Sequence, residues 1–374
     1  AATTLLFELP LGSLADGIGR KPVYLGSVIV TLIAITGLLL FKSFIVIAIG
    51  FGLMGLGRAL MSGTLDAWFI EKFRQQAAEY SSQPALAYVE MSGGIGLAVF
   101  AVCGGLLTDL AGPFLKPIGL GVYDAPLIAS IVLTIILFIY TKFAIIEKNR
   151  PINKQAVKSG FSNIGTIIHD SGFYAFKHKI ISVMLLSTAI TSLAFIVLET
   201  FWIPYVKPMI EGEYVTSIIG VLTFIYFFSM AIGAGISTPI VNLFNGSRAH
   251  ALLLIICLSG LLLCLLSFTN TLYYFIPVII LVTVLMGAAS PPFASIFHDY
   301  IPDNKRSTLL SLQSLVEKIG GLIGMLGLGY IAEKFGIGTA WQFGGGVVII
   351  AGLLYLFLAN RTATAPIIKP TDGV

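Results

Sequence analysis

The side chains able to do chemistry in this chain stand where charge is most costly, inside long apolar runs. Arg58 lies near the middle of the run 44–71, Asp66 follows eight residues later, about 12 Å along a helix axis, and Glu71 closes the run. Glu8 sits two turns before Asp16, and Glu90 lies about two turns inside the run 84–108, so Glu8, Asp66 and Glu90 share roughly one depth. Glu199 stands close to Trp202 in the outer third of the run 180–206. Glu317 and Lys318 are adjacent, so they point about 100° apart on a helix and serve different partners. A charge at the bilayer centre costs about 2.5–3.5 kcal/mol on insertion scales, and such residues mark pathways or paired networks. The chemistry open to them is proton exchange, ion pairing between helices and attraction of cations. For Glu8, Asp66 and Glu90 a structural polar pair fits the pattern as well as a proton site does. Glu199 either attracts a cation beside Trp202 or belongs to an aromatic belt at the membrane boundary.

The elements that must position these groups follow from composition. The 374 residues are 57% hydrophobic and 11% charged, with a mean hydropathy of +0.96 and a formal net charge of +4. A soluble domain is about 45–50% apolar and roughly 25% charged. Soluble enzymes, disordered chains and nucleic-acid binders are thereby excluded. A membrane helix needs about 20 mostly apolar residues. Ten such runs lie near 23–41, 44–71, 84–108, 125–147, 180–206, 215–242, 248–269, 272–298, 307–335 and 338–360, and a shorter one precedes Gly12. They do not alternate apolar and polar residues as barrel strands do. One long polar connection, 147–179, divides the chain into halves. Lys and Arg fall fifteen to one set of loops and tail and four to the other, which puts the linker and C-terminus in the cytoplasm. The sequon at Asn245 then faces the cytoplasm and is expected to carry no glycan. The three cysteines, Cys103, Cys257 and Cys264, lie in apolar runs without metal or redox spacing and read as small buried side chains.

A repeat is hidden in the loops. Gly12-Ser-Leu14-Ala-Asp16-Gly-Ile-Gly19 has the pattern G-x-L-x-D-x-x-G, which recurs from Gly105 through Asp109 to Gly112. A variant runs from Gly329 through Glu333 to Gly336, and a decayed copy from Thr238 through Asn242 to Asn245. Each copy closes the middle helix of a three-helix unit, and the copies alternate between the two sides. Four such units of alternating orientation describe the nested inverted repeats of secondary transporters. In the second and fourth units about sixty residues precede the motif, against eleven in the first, so about fifty further residues are expected ahead of Ala1.

On these residues the chain resembles a major facilitator superfamily transporter, drug-efflux-like and truncated at its N-terminus. The resemblance rests on Gly12 to Lys21, on Gly55-Leu-Gly57-Arg58-Ala-Leu-Met-Ser-Gly63, and on Ile301 to Ser314, which is similar to the entry of the eleventh helix in efflux members. It implies an all-α fold of twelve helices in two six-helix halves with the first helix missing. Residues 1–147 would hold the second to sixth helices and 148–179 the linker. Residues 180–360 would hold the seventh to twelfth helices, and 361–374 a cytoplasmic tail. Gly17 replaces the family's basic residue after the motif Asp, and the glycines of 84–108 occur without the Gly-Pro pair of proton-antiporting exporters.

The resemblance implies a conformational latch of Gly12, Asp16, Gly19, Arg20, Lys21 and Glu71. Asp16 would accept hydrogen bonds from a helix N-terminus, for which the turn at Ser307-Thr308 is the candidate. Arg58, with Asp66, Glu8 and Glu90, would link protonation to transport or tie the helices together. Phe195, Glu199 and Phe293 would line the substrate cavity. The expected function is proton-coupled efflux of lipophilic or cationic small molecules by alternating access. The alternatives are a nutrient importer or facilitator of the same fold, or a non-transporting membrane sensor. No enzyme is expected: Gly50-Phe-Gly52-Leu-Met-Gly55 lies in an apolar run with no preceding strand, and the four histidines are scattered. No cofactor or metal is expected beyond a proton gradient as driving force. The expected partners are a small-molecule substrate, protons and the lipid bilayer, with no nucleic acid. The chain is expected to be a monomer in the plasma (inner) membrane.

Overall fold

In lipid no water is present to satisfy backbone N–H and C=O groups, so each apolar run must close its own hydrogen bonds, as a helix does. A computed structural model describes residues 18–61, 64–65, 68–69, 83–147, 173–174, 177–301 and 306–362, with backbone alone for 83–91, 118, 298, 306–308, 310–311 and 360–362. In chain order the long helices are α1 (Arg20–Leu40), α2 (Phe44–Met61), α3 (Gln83–Leu115), α4 (Asp124–Ala144) and α5 (Lys179–Val206). They continue with α6 (Val215–Leu243), α7 (Arg248–Leu266), α8 (Leu272–Tyr300), α9 (Arg306–Phe335) and α10 (Ile337–Thr362). All ten contain a stretch long and apolar enough to cross a membrane, and no strand occurs among the described residues.

Two sequence expectations change at this level. The run 84–108 becomes a helix that continues to Leu115 and so contains Gly112 and Pro113. Hydropathy falls at Thr108-Asp109, but the backbone ladder is indifferent to side-chain polarity, and a proline in the last turn removes only one N–H. Cys103 is exposed on α3 instead of buried, whereas Cys257 and Cys264 are partly buried with their thiols directed at the Ile349 and Gln342 carbonyls.

The chain divides into two compact units, Ala1–Ser92 with Leu106–Ile167, and Gly93–Gly105 with Ile168–Val374. In the first, α1 packs on α2 and α4. Asp124 opens α4 with a side chain only 3% exposed. It accepts from the Gly121 N–H at 2.9 Å and pairs with Lys42, an anion at the positive end of a helix. The outer faces of α4 are apolar and exposed, as lipid-facing surface must be.

The second unit has a continuous core in which Trp341, Tyr355, Phe275 and Phe297 are fully buried. α5 packs on α9 and α10, α6 on α8, and α7 on α10 and α8. At Gly324 of α9 an added Cβ would collide with the Leu193 carbonyl of α5, so only hydrogen fits at this crossing. Buried hydroxyls are satisfied inside their own helices: Thr188 donates to the Met184 carbonyl at 3.0 Å and Thr283 to that of Ile279 at 2.9 Å. Tyr205, near the end of α5, donates toward the carbonyls of Thr269 (2.6 Å) and Ser267 (3.0 Å), fastening α5 to the α7–α8 connection.

Candidate functional site

The start of α1 is built around Gly19, whose φ of 102° is left-handed and favours glycine. A Cβ here would also stand 3.2 Å from Glu147 Oε2. That closeness has a purpose. The Arg20 N–H donates to Glu147 Oε1 at 3.1 Å and the Lys21 N–H to Oε2 at 2.9 Å, so one carboxylate satisfies two orphan donors at a helix N-terminus. Lys21 Nζ donates to the Lys142 carbonyl at 2.8 Å, placing a cation on the last turn of α4. The three described residues of the expected latch, Gly19, Arg20 and Lys21, are thus brought together against the end of α4. Gly12, Asp16 and Glu71 lie outside the described residues. Glu147 was not singled out from the sequence, where it reads as the first charge of the linker.

The corresponding turn of the second unit lies between α6 and α7, where Asn245 (φ 53°) and Gly246 (φ 80°) both take positive φ. Arg248, the first residue of α7, pairs with Asp299 near the end of α8 at 2.7 Å and donates to the Ser295 hydroxyl. Asp299 follows Arg248 by 51 residues, the interval that separates Arg20 from Glu71. A cavity of about 600 Å³ opens beside this turn, lined among others by Arg248, His250, Tyr300 and Ala359. Behind it Tyr300 meets His178, whose Nδ1 accepts the Ile181 N–H at 3.4 Å and caps α5. Burial pushes the His178 pKa below its ordinary value and raises that of the Tyr300 hydroxyl, to which the Asp299 charge also contributes.

Within the spans, Glu199 of α5 and Glu317 of α9 are exposed. Trp202, one turn beyond Glu199, stacks on Tyr226 with centroids 5.9 Å apart and planes at 14°. Lys318 donates to Ser314 at 3.1 Å on its own helix. Phe195 and Phe293 are half-buried and pack against the same core, with Phe293 stacked on Phe297. Arg58 is exposed on α2 and has no ion pair among the described residues. Asp66 and Glu8 lie outside the described residues, as does the side chain of Glu90. Tyr226 could have been found only as an aromatic residue in an apolar run. No group of three metal-ligating side chains occurs among the described residues.

Comparisons with known proteins fit this architecture. The chain resembles a solved nucleoside transporter, NupG, in a mutant form, with a TM-score of 0.72 over 95% of this chain and 89% of that one at 15% identity. Another NupG structure gives 0.69 over 96% and 87%, also at 15% identity. The human organic anion transporter MFSD10 gives 0.58 over 94% and 81% at 15% identity. No curated protein sequence matches the chain. The family model described as Major Facilitator Superfamily matches residues 1–209 and again 190–372. With that model along both halves, the chain is a membrane transporter and not an enzyme, and it belongs to the Major Facilitator Superfamily.

Proposed function

We propose that this transporter is a proton-coupled exporter of lipophilic or cationic small molecules, working by alternating access in the plasma (inner) membrane. The observation that carries this reading is that the packed helices α5 and α9 each hold a membrane carboxylate, Glu199 and Glu317, with Glu199 one turn from an aromatic stack. Acids within the spans disfavour an organic anion and favour a cation, and a carboxylate that binds a cation can exchange it for a proton. In this reading Phe195, Glu199 and Phe293 line the cavity, and Arg58 with Asp66, Glu8 and Glu90 links protonation to the conformational cycle. Gly12, Asp16, Gly19, Arg20, Lys21 and Glu71 latch the two halves in the outward-open state, with the linker and C-terminus cytoplasmic.

Everted vesicles from cells expressing the complete gene test this reading. A lipophilic cationic dye should accumulate when the membrane is energised and leak out on addition of a proton uncoupler. A neutral nucleoside and an organic anion serve as competitors. Dye movement indifferent to the uncoupler, or preferential accumulation of the nucleoside or anion, would replace the reading with facilitated transport or another substrate class.

A further inference from the structure

α1 and α4 run antiparallel, and charge meets both ends of the pair. Where α1 begins, Glu147 accepts the Arg20 and Lys21 N–H groups, and Lys21 Nζ donates to the Lys142 carbonyl in the last turn of α4. Where α1 ends, Lys42 Nζ reaches the Leu38 carbonyl of its last turn at 3.5 Å and pairs with Asp124, the first residue of α4. Asp124 also accepts the Gly121 N–H. Each end therefore sets an anion on one helix's N-terminus and a cation on the other's C-terminus, the arrangement both macrodipoles favour.

The buried residues of α4 lie at the same two ends. Asp124 and Ala125 are buried at its start, and Thr141, with Ile145 just beyond the helix, at its close. Along the middle, Val132, Ile136 and Ile139 are exposed. The glycines of α1 make no backbone crossing with α4: the Cβ position of Gly26 is open space, and that of Gly37 faces Val46 of α2. In the second unit the corresponding pair, α7 and α10, is joined along its length. A Cβ on Gly260 would stand 2.6 Å from the Gly345 carbonyl, and one on Gly352 would stand 2.5 Å from Cys257 Sγ. Where α7 ends, Gln342 of α10 donates to the Ser267 hydroxyl, a neutral bond where the first unit has an ion pair. α7 and α10 are held by close backbone approach, and α1 and α4 by charge at their ends.

We propose that Glu147, Lys42 and Asp124 are positioning residues of the transport cycle, pinning α1 to α4 at both ends so that the pair moves as one strut. Charge-assisted hydrogen bonds at the two ends resist splaying without tight packing between them. None of the three acts on substrate directly. They act through α1 on α2, which carries Arg58: a Cβ on Gly50 or Gly57 of α2 would strike Leu38 or Thr31 of α1, so a displaced α1 displaces α2. This role goes beyond the substrate reading above and does not depend on it.

Pulsed spin-label distances in the full chain in lipid nanodiscs test the strut without any substrate. The three native cysteines are replaced by serine, and labels go on exposed Phe41 and Tyr123 at one end, or on exposed Ile29 and Phe143 toward the other. With both ends intact, each pair should give one narrow distance. Lys42→Met should broaden the first and Glu147→Gln the second, whereas Lys42→Arg, which keeps the cation, should leave the first narrow. In everted vesicles, Lys42→Met and Glu147→Gln should each slow export of a lipophilic cationic dye about fivefold per folded molecule, and together by about 25-fold or more. The Kd of the dye should stay the same. A role in stability alone would lower the amount of folded protein and leave the turnover of the remainder unchanged. Distances that stay narrow in the double variant overturn the strut, and so does full-rate export per folded molecule by that variant. If the wild-type chain moves no dye, the exporter reading fails alone, and the distances still decide the strut.

Discussion

α1 and α7 begin alike and are held differently. Each follows a turn with left-handed backbone, Gly19 in one case and Asn245-Gly246 in the other. At α1 the orphan N–H groups of Arg20 and Lys21 meet the two oxygens of Glu147. At α7 the Ser247 side chain makes no capping bond and turns instead to His250 at 2.7 Å, and an open cavity lies beside the turn. What fixes α7 is its first side chain, through Arg248 to Asp299 and Ser295. One turn is therefore anchored by an anion on the backbone donors of Arg20 and Lys21. The other depends on the identity of a single arginine.

The largest expected effect is on transport. The repeat sets Asp16 of the first copy against Asn242 of the decayed copy, an exposed residue near the end of α6. If the first turn alone latches, Asp16→Asn should slow dye export by about tenfold or more, the size of a typical conformational coupling, without changing expression. Asn242→Asp should leave export nearly unchanged. Equal effects from both would make the two turns functionally equivalent and break the comparison.

Stability separates the turns next. Gly19→Val combines a φ of 102° with a clash against Glu147 and should cost about 2–3 kcal/mol, read as a lower unfolding temperature in detergent. Glu147→Ala should cost about 1–2 kcal/mol through the lost cap. Asn245→Gly, which only relieves a positive φ, should be neutral or slightly stabilising. At the other turn, a double-mutant cycle on Arg248→Ala and Asp299→Ala should return a coupling of about 0.5–1 kcal/mol, since both side chains remain about a third exposed. A larger coupling would show that the arginine anchors more firmly than the carboxylate cap.

The spans were legible because lipid demands long apolar helices, and α5, α6 and α8 begin within a residue of their hydropathic runs. The end of α3 was not, because Asp109 interrupts the hydropathy while the helix runs on to Leu115. Glu147 was missed because its partners at Arg20 and Lys21 lie more than 120 residues away, and no local pattern announces such a bond. Asp299 could have been found from the 51-residue interval shared with Arg20 and Glu71, had the repeat been carried past its loops. Glu199 and Glu317 were visible as single acids. That their helices touch depends on the glycine crossing of α5 and α9, which spacing within either helix does not reveal.

The smallest effect distinguishes the two turns by pH. His178 caps α5 through the lone pair of Nδ1 and meets Tyr300 beside the α7 turn, so it serves the fold only while neutral. Burial holds its pKa below the ordinary value near 6.5, which means that the unfolded chain binds the proton more readily than the folded one. Its stabilisation is therefore complete above about pH 6.5 and is lost as the pH falls below that, through the folded-state pKa. Unfolding temperature should decline between about pH 7 and pH 5 in the wild-type chain and decline less in His178→Asn, which keeps a capping side chain but cannot titrate. A slope that survives His178→Asn unchanged would remove His178 as the source of the acid sensitivity.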